Sequence, residues 1–193
     1  NAGKIILINT AKDLLKENGT QIFGRFFIAL ITQAAQERAT LPGNKRLPTF
    51  VYVDEAADYF DQNIGIILSQ ARKFNVGMVL AHQYLGQLTP ALQDAFAANT
   101  SIKFAGGVSN KDARTLASMM GCELSFVESQ KKGSFATAVR SLTNGAVSLT
   151  FPFGYVEDMD RQSPAEHQIL IDRMRAQYAV HYSKLRSEPS GDG

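Results

Sequence analysis

Residues Phe50-Val51-Tyr52-Val53 run directly into Asp54-Glu55. Four consecutive apolar residues leave no polar face for a half-solvated strand. Such a run reads as a strand buried on both sides, as in a parallel sheet. It delivers two carboxylates to the C-terminal edge, where open α/β sheets bind ligands. In nucleotide hydrolases the first such carboxylate holds Mg²⁺ through water and the second polarises the attacking water. The alternative role for this pair is an acidic strand end that caps the turn after it. The phosphate loop that normally partners the pair, Gly-x-x-x-x-Gly-Lys-Ser/Thr, is absent from all 193 residues; Gly3-Lys4 lacks the earlier glycine and is followed by Ile5. The chain therefore reads as the second half of a nucleotide hydrolase, and Asn1 in place of Met fits an excised or processed fragment.

The pattern around that strand is strand–helix alternation. Residues 4–9 read as a buried strand. Asn18-Gly19 signals a turn, Thr20 is placed to cap a helix, and Phe23, Phe26, Phe27, Leu30, Ile31 and Ala34 recur at helical spacing to about Arg38. Asp61 is a candidate cap for a helix over about 62–72. Strands are expected at 76–81 and 101–104, with helices from Pro90 to about Ala98 and over 110–120. This order predicts an α/β fold with a mostly parallel sheet flanked by helices. The pattern then changes. Residues 133–139 and 146–151 flank Asn144-Gly145, a hairpin signal. A last helix is expected from Pro164 to about Leu185, its Leu170, Met174, Tyr178 and Tyr182 stripe packing on the domain. The organisation expected is 1–125 as the nucleotide-binding part, 126–187 as hairpin and helix appended to it, and 188–193 as a disordered tail.

Bulk properties exclude more than they select. Net charge is +2 from 20 basic and 18 acidic residues, which by itself makes no case for nucleic acid. Cys122 is the single cysteine, so disulfide frameworks and cysteine metal cages are excluded, and a reducing interior fits. His82, His167 and His181 lack metal-ligand spacing. The apolar run 26–31 is far too short to span a bilayer.

Beyond Asp54 and Glu55, the strand at 76–81 ends in His82-Gln83. An amide there suits a γ-phosphate sensor, because it donates to a phosphate oxygen and accepts from the attacking water; an ordinary surface loop is the plainer reading. His82 is expected to be partly buried and hydrogen-bonded. Arg72 closes a helix. It is a candidate arginine finger, a role that needs an oligomer, or else a cation on the helix macrodipole. Arg25 and Arg38 read as solvated. Gly106-Gly107 reads as a tight turn and Lys131-Lys132 with Arg140 as a solvated basic face.

These residues also carry a family resemblance. The run from Pro48 to Ala56, then Leu68-Ser69-Gln70-Ala71-Arg72-Lys73 through Leu80-Ala81-His82-Gln83, resembles the motor domain of conjugative coupling proteins, the TraG/TraD-type ATPases of type IV secretion within the FtsK/HerA superfamily. Gln87-Leu88, the stretch from Ala98 to Phe104, Asp112-Ala113-Arg114 and Phe151-Pro152-Phe153-Gly154 extend the resemblance over roughly residues 1 to 160. It implies a RecA-like P-loop NTPase core, present in part, in a hexameric ring that binds ATP and Mg²⁺ and moves DNA. Asp54 matches the Mg²⁺-side carboxylate, Glu55 the catalytic one, Gln83 the sensor glutamine and Arg72 the arginine before the sensor strand. Implied partners are DNA, further copies of the chain, and relaxosome and secretion-channel proteins. The implied location is the cytoplasmic side of a bacterial inner membrane, anchored by an upstream segment. Two alternatives stand beside it: another ATPase of the same superfamily, such as a secretion-channel ATPase or chromosome translocase, and a non-enzymatic docking module that retains the fold.

Overall fold

The computed structural model describes residues 3–60 and 64–180, side chains at 14 and 64–66 excepted. The expected cap at Asp61 lies outside the described residues. Contacts divide the chain into two compact units, Asn1–Phe151 and Pro152–Gly193.

The first unit is α/β. Its elements in chain order are α1 (Lys12–Glu37), β1 (Thr49–Val53), α2 (Ile64–Ala71), β2 (Val76–Leu80), α3 (Pro90–Asn99), β3 (Ile102–Ala105), α4 (Asn110–Met120), α5 (Leu124–Glu128), β4 (Ser134–Val139) and β5 (Val147–Thr150). β1 and β2 pair in parallel, Thr49 opposite Val76 through Val53 opposite Leu80. β3, β4 and β5 form a separate antiparallel sheet in that order. Two helices of the alternation are capped by side chains: Thr89 Oγ1 accepts from Leu92 N ahead of Pro90, and Ser109 Oγ accepts from Asp112 N.

The parallel pair has unlike faces. Val51, Val53, Val76, Met78 and Leu80 turn inward, where Ala56, Phe60, Leu85, Leu88, Leu92 and Phe96 form the main core. The other face is bare, which corrects the expectation of a strand buried on both sides: Phe50 is 64 % exposed, Tyr52 74 % and Val79 47 %. The unpaired edges of β2 and β3 border one cleft of about 590 Å³, whose lining includes Met78, Val79, Phe96, Ile102, Phe104 and Met119.

Several expectations are corrected. Residues 4–9 are extended but belong to no strand, and Ile5 and Leu7 are each 91 % exposed. A strand needs a neighbour for its ladder of hydrogen bonds, and none of the described strands pairs with this stretch. Asn18, Gly19 and Thr20 lie inside α1, which starts at Lys12 and breaks at Lys16 (φ 57°, ψ 170°). Thr20 caps nothing; it is fully buried and its hydroxyl donates to Thr10 O at 3.0 Å. The inward face of α1 is Thr20, Gly24, Ile28 and Ala35, while Phe26 and Leu30 remain 56 % and 42 % exposed. The reason is Gly24: a Cβ there would meet Tyr59 Cδ1 at 2.1 Å, so the missing side chain seats the Tyr59 ring, whose hydroxyl reaches Thr10 Oγ1 at 2.8 Å.

The expected hairpin forms, β4 pairing antiparallel with β5, although Asn144-Gly145 is not a two-residue turn between them. Thr137 pairs with Val147, and the chain between β4 and β5 is a longer loop in which Val139 N donates to Thr143 Oγ1 (3.1 Å) and Thr143 N donates to Val139 O (3.0 Å). Gly145 is required for a close approach instead; a Cβ there would meet Gly121 O at 2.9 Å.

In the second unit, α6 (Pro164–Tyr178) begins with a complete capping box between Ser163 and Glu166, but its expected packing stripe is exposed at Leu170, Met174 and Tyr178, and Tyr182 lies outside the described residues. Two hydrogen bonds from Ser163 hold the Glu166 carboxyl below its ordinary pKa.

Gly24→Ala will force the Tyr59 ring off α1 and cost about 1–3 kcal/mol, as overpacking does. In a Tyr59→Ala background the same change will be neutral or stabilising, by up to about 1 kcal/mol. Urea denaturation of the four proteins checks this.

Candidate functional site

Parallel register decides where the chemistry gathers. Because Val53 lies opposite Leu80, the residues after β1 and those after β2 leave the sheet at the same edge. The ladder extends past both strands: Ala81 N donates to Val53 O (2.9 Å) and Ala56 N donates to Ala81 O (2.8 Å). Between those bonds Glu55 adopts left-handed backbone, φ 51° and ψ 44°. That conformation costs a non-glycine residue about 1 kcal/mol or more. It is held from both sides, since Asp54 Oδ1 accepts from Glu55 N (3.0 Å) and the next residue, Ala56, is fully buried.

Gln83 is brought to the same point. Its Nε2 donates to Glu55 Oε1 at 2.5 Å. The turn that carries it is internally satisfied: Gln87 Oε1 accepts from Gln83 N (3.0 Å) and Tyr84 N (3.2 Å), while Gln93 Nε2 donates to Leu85 O (3.0 Å) and Leu88 O (3.1 Å). Leu85 and Leu88 anchor the turn in the main core. The pair is thus an exposed amide donating to a half-buried carboxylate, both fixed by the core beneath them. Such a pair orients a carboxylate oxygen and leaves the amide oxygen open to accept a hydrogen bond from water.

Asp54 is exposed beside this pair. Among the described residues no group of three or more His, Cys, Asp or Glu forms a metal cage. Mg²⁺ does not require one, since it is commonly held by one or two carboxylates together with phosphate and water. Asp54 fits that donor set.

Arg72 is not brought to the site. It precedes β2, at the end of the strand away from Gln83, and a strand of five residues is roughly 16 Å long. Within one chain it touches none of the other candidates. Arg38 is not a solvated cation. It donates to Leu47 O (3.0 Å), Phe74 O (3.2 Å) and Thr49 Oγ1 (2.6 Å), tying α1 to the start of β1 and the turn before β2. Arg140 is likewise structural, its Nη2 donating to Ala97, Ala98 and Thr100 carbonyls at the end of α3.

His82 is half-buried as expected, but its buried Nδ1 has no hydrogen-bond partner. Burial pushes its pKa down, opposed by the charge of Asp112.

Lys12 is a neighbour that strand and helix periodicity did not single out. It forms an ion pair with Asp58 at 2.8 Å, in the turn that follows Glu55. A hydrogen bond and the charge of Asp58 hold the Lys12 ammonium above its usual pKa, with Glu55 the smallest contributor. Pairing across 46 residues has no local signature in the sequence.

No family model matches the chain, and no curated protein matches it. Among solved structures it is similar to VirB4 of Thermoanaerobacter pseudethanolicus, with a TM-score of 0.47 and 17 % identity, over 74 % of this chain and 38 % of that one. The chain thus spans well under half of that protein. Among the described residues no helix is long and apolar enough to cross a membrane.

The His82 shift has a definite sign. The unfolded chain takes up a proton near its ordinary histidine pKa that the folded chain resists, so stability is lost as pH falls through that value. His82→Gln will therefore flatten the fall in urea midpoint between about pH 7.5 and about pH 5.5. An unchanged slope contradicts the assignment.

Proposed function

We propose that this chain is part of an ATP-hydrolysing motor of the type IV secretion class, with Glu55 as catalytic carboxylate and Gln83 as sensor. The observation that carries the reading is the Gln83 Nε2 to Glu55 Oε1 bond at the shared edge of two parallel strands. A docking module has no use for a strained, buttressed carboxylate paired with an amide. Asp54 would hold Mg²⁺ through water against the nucleotide phosphates, and the ion would supply charge neutralisation there. Glu55 orients and deprotonates the attacking water. Gln83 reports the γ-phosphate to the main core through the turn ending at Leu88.

The reading requires phosphate-binding amides that these 193 residues do not carry. The cleft between the free edges of β2 and β3 and the bare face of Phe50, Tyr52 and Val79 suit a strand and helix from elsewhere in the parent protein. A strand seated there parallel to β2 ends at the edge where Glu55 and Gln83 stand. Arg72, remote from this site in its own chain, suits a finger presented to a neighbouring copy in a ring.

Within this class the conjugative coupling protein is the finer reading, on the residue runs around Asp54-Glu55 and Arg72 to Gln83. DNA is then the transported polymer, with relaxosome and channel proteins as partners and the inner membrane as the site of anchorage. A channel ATPase or chromosome translocase shares the same chemistry.

In a form extended to include the phosphate loop, Glu55→Gln will still bind ATP but lose turnover by about 10²–10⁴, because the amide keeps the shape and removes the base. Equilibrium binding and steady-state hydrolysis measured together check this. Unchanged turnover overturns the role given to Glu55.

A further inference from the structure

Asp112 is a charged residue with 6 % exposure, in the first turn of α4. Burying a carboxylate is costly unless it is hydrogen-bonded. Its position three residues after the cap Ser109 is that of a capping-box acid, which ordinarily reaches back to the cap amide, as Glu166 does for Ser163. Asp112 does otherwise. Ser109 Oγ accepts from Asp112 N (3.3 Å), but the Asp112 carboxylate reaches 27 residues back, and its Oδ2 accepts from Leu85 N at 3.3 Å in the interior.

Leu85 and His82 bracket Gln83. The carboxylate bonds the first and acts electrostatically on the second, whose Nδ1 is buried and unpartnered. The backbone amides of Gln83 and Tyr84 and the carbonyls of Leu85 and Leu88 are met by the uncharged side chains of Gln87 and Gln93. Asp112 is the charged side chain that accepts from a backbone amide of the turn, while Glu55 accepts from the Gln83 side chain. Asp112 also arrives from a different helix, α4, whose other buried residues, Ala113, Ala117 and Met120, pack in a separate apolar cluster with Ala105 of β3 and Ala136 of β4.

We propose that Asp112 is a positioning residue for Gln83: by holding the Leu85 amide it fixes the turn so that the Gln83 side chain meets Glu55. It touches none of the reacting groups. Its chemical meaning rests on the hydrolysis reading above, whereas its geometry does not. The anchor also ties the sensor turn to the helix that packs on β3 and β4, so displacement of α4 moves Gln83.

The test uses the 193-residue chain and needs no nucleotide. Amide exchange at Leu85 and the side-chain amide resonance of Gln83 are followed in wild type, Asp112→Ala and Asp112→Asn. Loss of a hydrogen bond to a buried charge raises Leu85 exchange about tenfold or more in Asp112→Ala. The Gln83 resonance shifts toward the value seen in Glu55→Ala. Asp112→Asn keeps an acceptor oxygen, and moves both readouts in the same direction by less. If Asp112→Ala does not fold, Asp112→Asn decides alone. Faster Leu85 exchange with an unmoved Gln83 resonance makes Asp112 merely structural and overturns the proposal, as does unchanged Leu85 exchange. In the form carrying a phosphate loop, Asp112→Ala lowers kcat at unchanged KM and Asp112→Asn restores most of it. Absence of ATP turnover in wild type sinks the hydrolysis reading instead, and leaves the Leu85–Gln83 coupling to be judged on the resonance data.

Discussion

The β1–β2 register is the constraint on which the site depends. Five paired residues place Val53 against Leu80, and the two backbone bonds through Ala81 extend that pairing into the loops. Side chains that are 28 residues apart in sequence then meet at one point. A slip of one residue would turn Val51, Val53, Met78 and Leu80 out of the core, so burial on the inner face enforces the register. Core packing and the site's geometry are in this sense one requirement.

That coupling explains the strain at Glu55. Left-handed backbone at a glutamate persists because Ala56 is locked in the core and bonded to Ala81, leaving no relaxed path for the turn. The complementary turn after β2 is satisfied by three side chains from three places: Gln87 within it, Gln93 on α3 and Asp112 on α4. An amide facing a carboxylate in water contributes little by itself; it contributes more when neither partner has conformational freedom left to lose.

The sequence made the local rules legible. The Phe50–Val53 run, the helix over 110–120 and the helix start at Pro90 appear almost where the residues place them. It was blind where side chains answer to distant neighbours. The phenylalanines of α1 announce an inward stripe, yet Gly24 sets the inward face because Tyr59, 35 residues on, needs the space. Asn144-Gly145 spells a tight turn, but Thr143 bonding to Val139 opens the loop. Residues 4–9 have the composition of a strand and no partner strand among those described. Asp54, Glu55 and Gln83 were legible as candidates because each follows an apolar run. The ties of Arg38 to three separate segments and of Asp112 to Leu85 were not, since neither spans a recognisable sequence interval.

The central proposal is that Glu55 and Gln83 form a hydrolytic pair in an ATPase that moves DNA. The most direct measurement is steady-state ATP hydrolysis by the chain extended upstream through a phosphate loop, with and without DNA. The account predicts hydrolysis that rises when DNA is added. A folded, nucleotide-bound protein whose hydrolysis is absent, or indifferent to DNA, contradicts it.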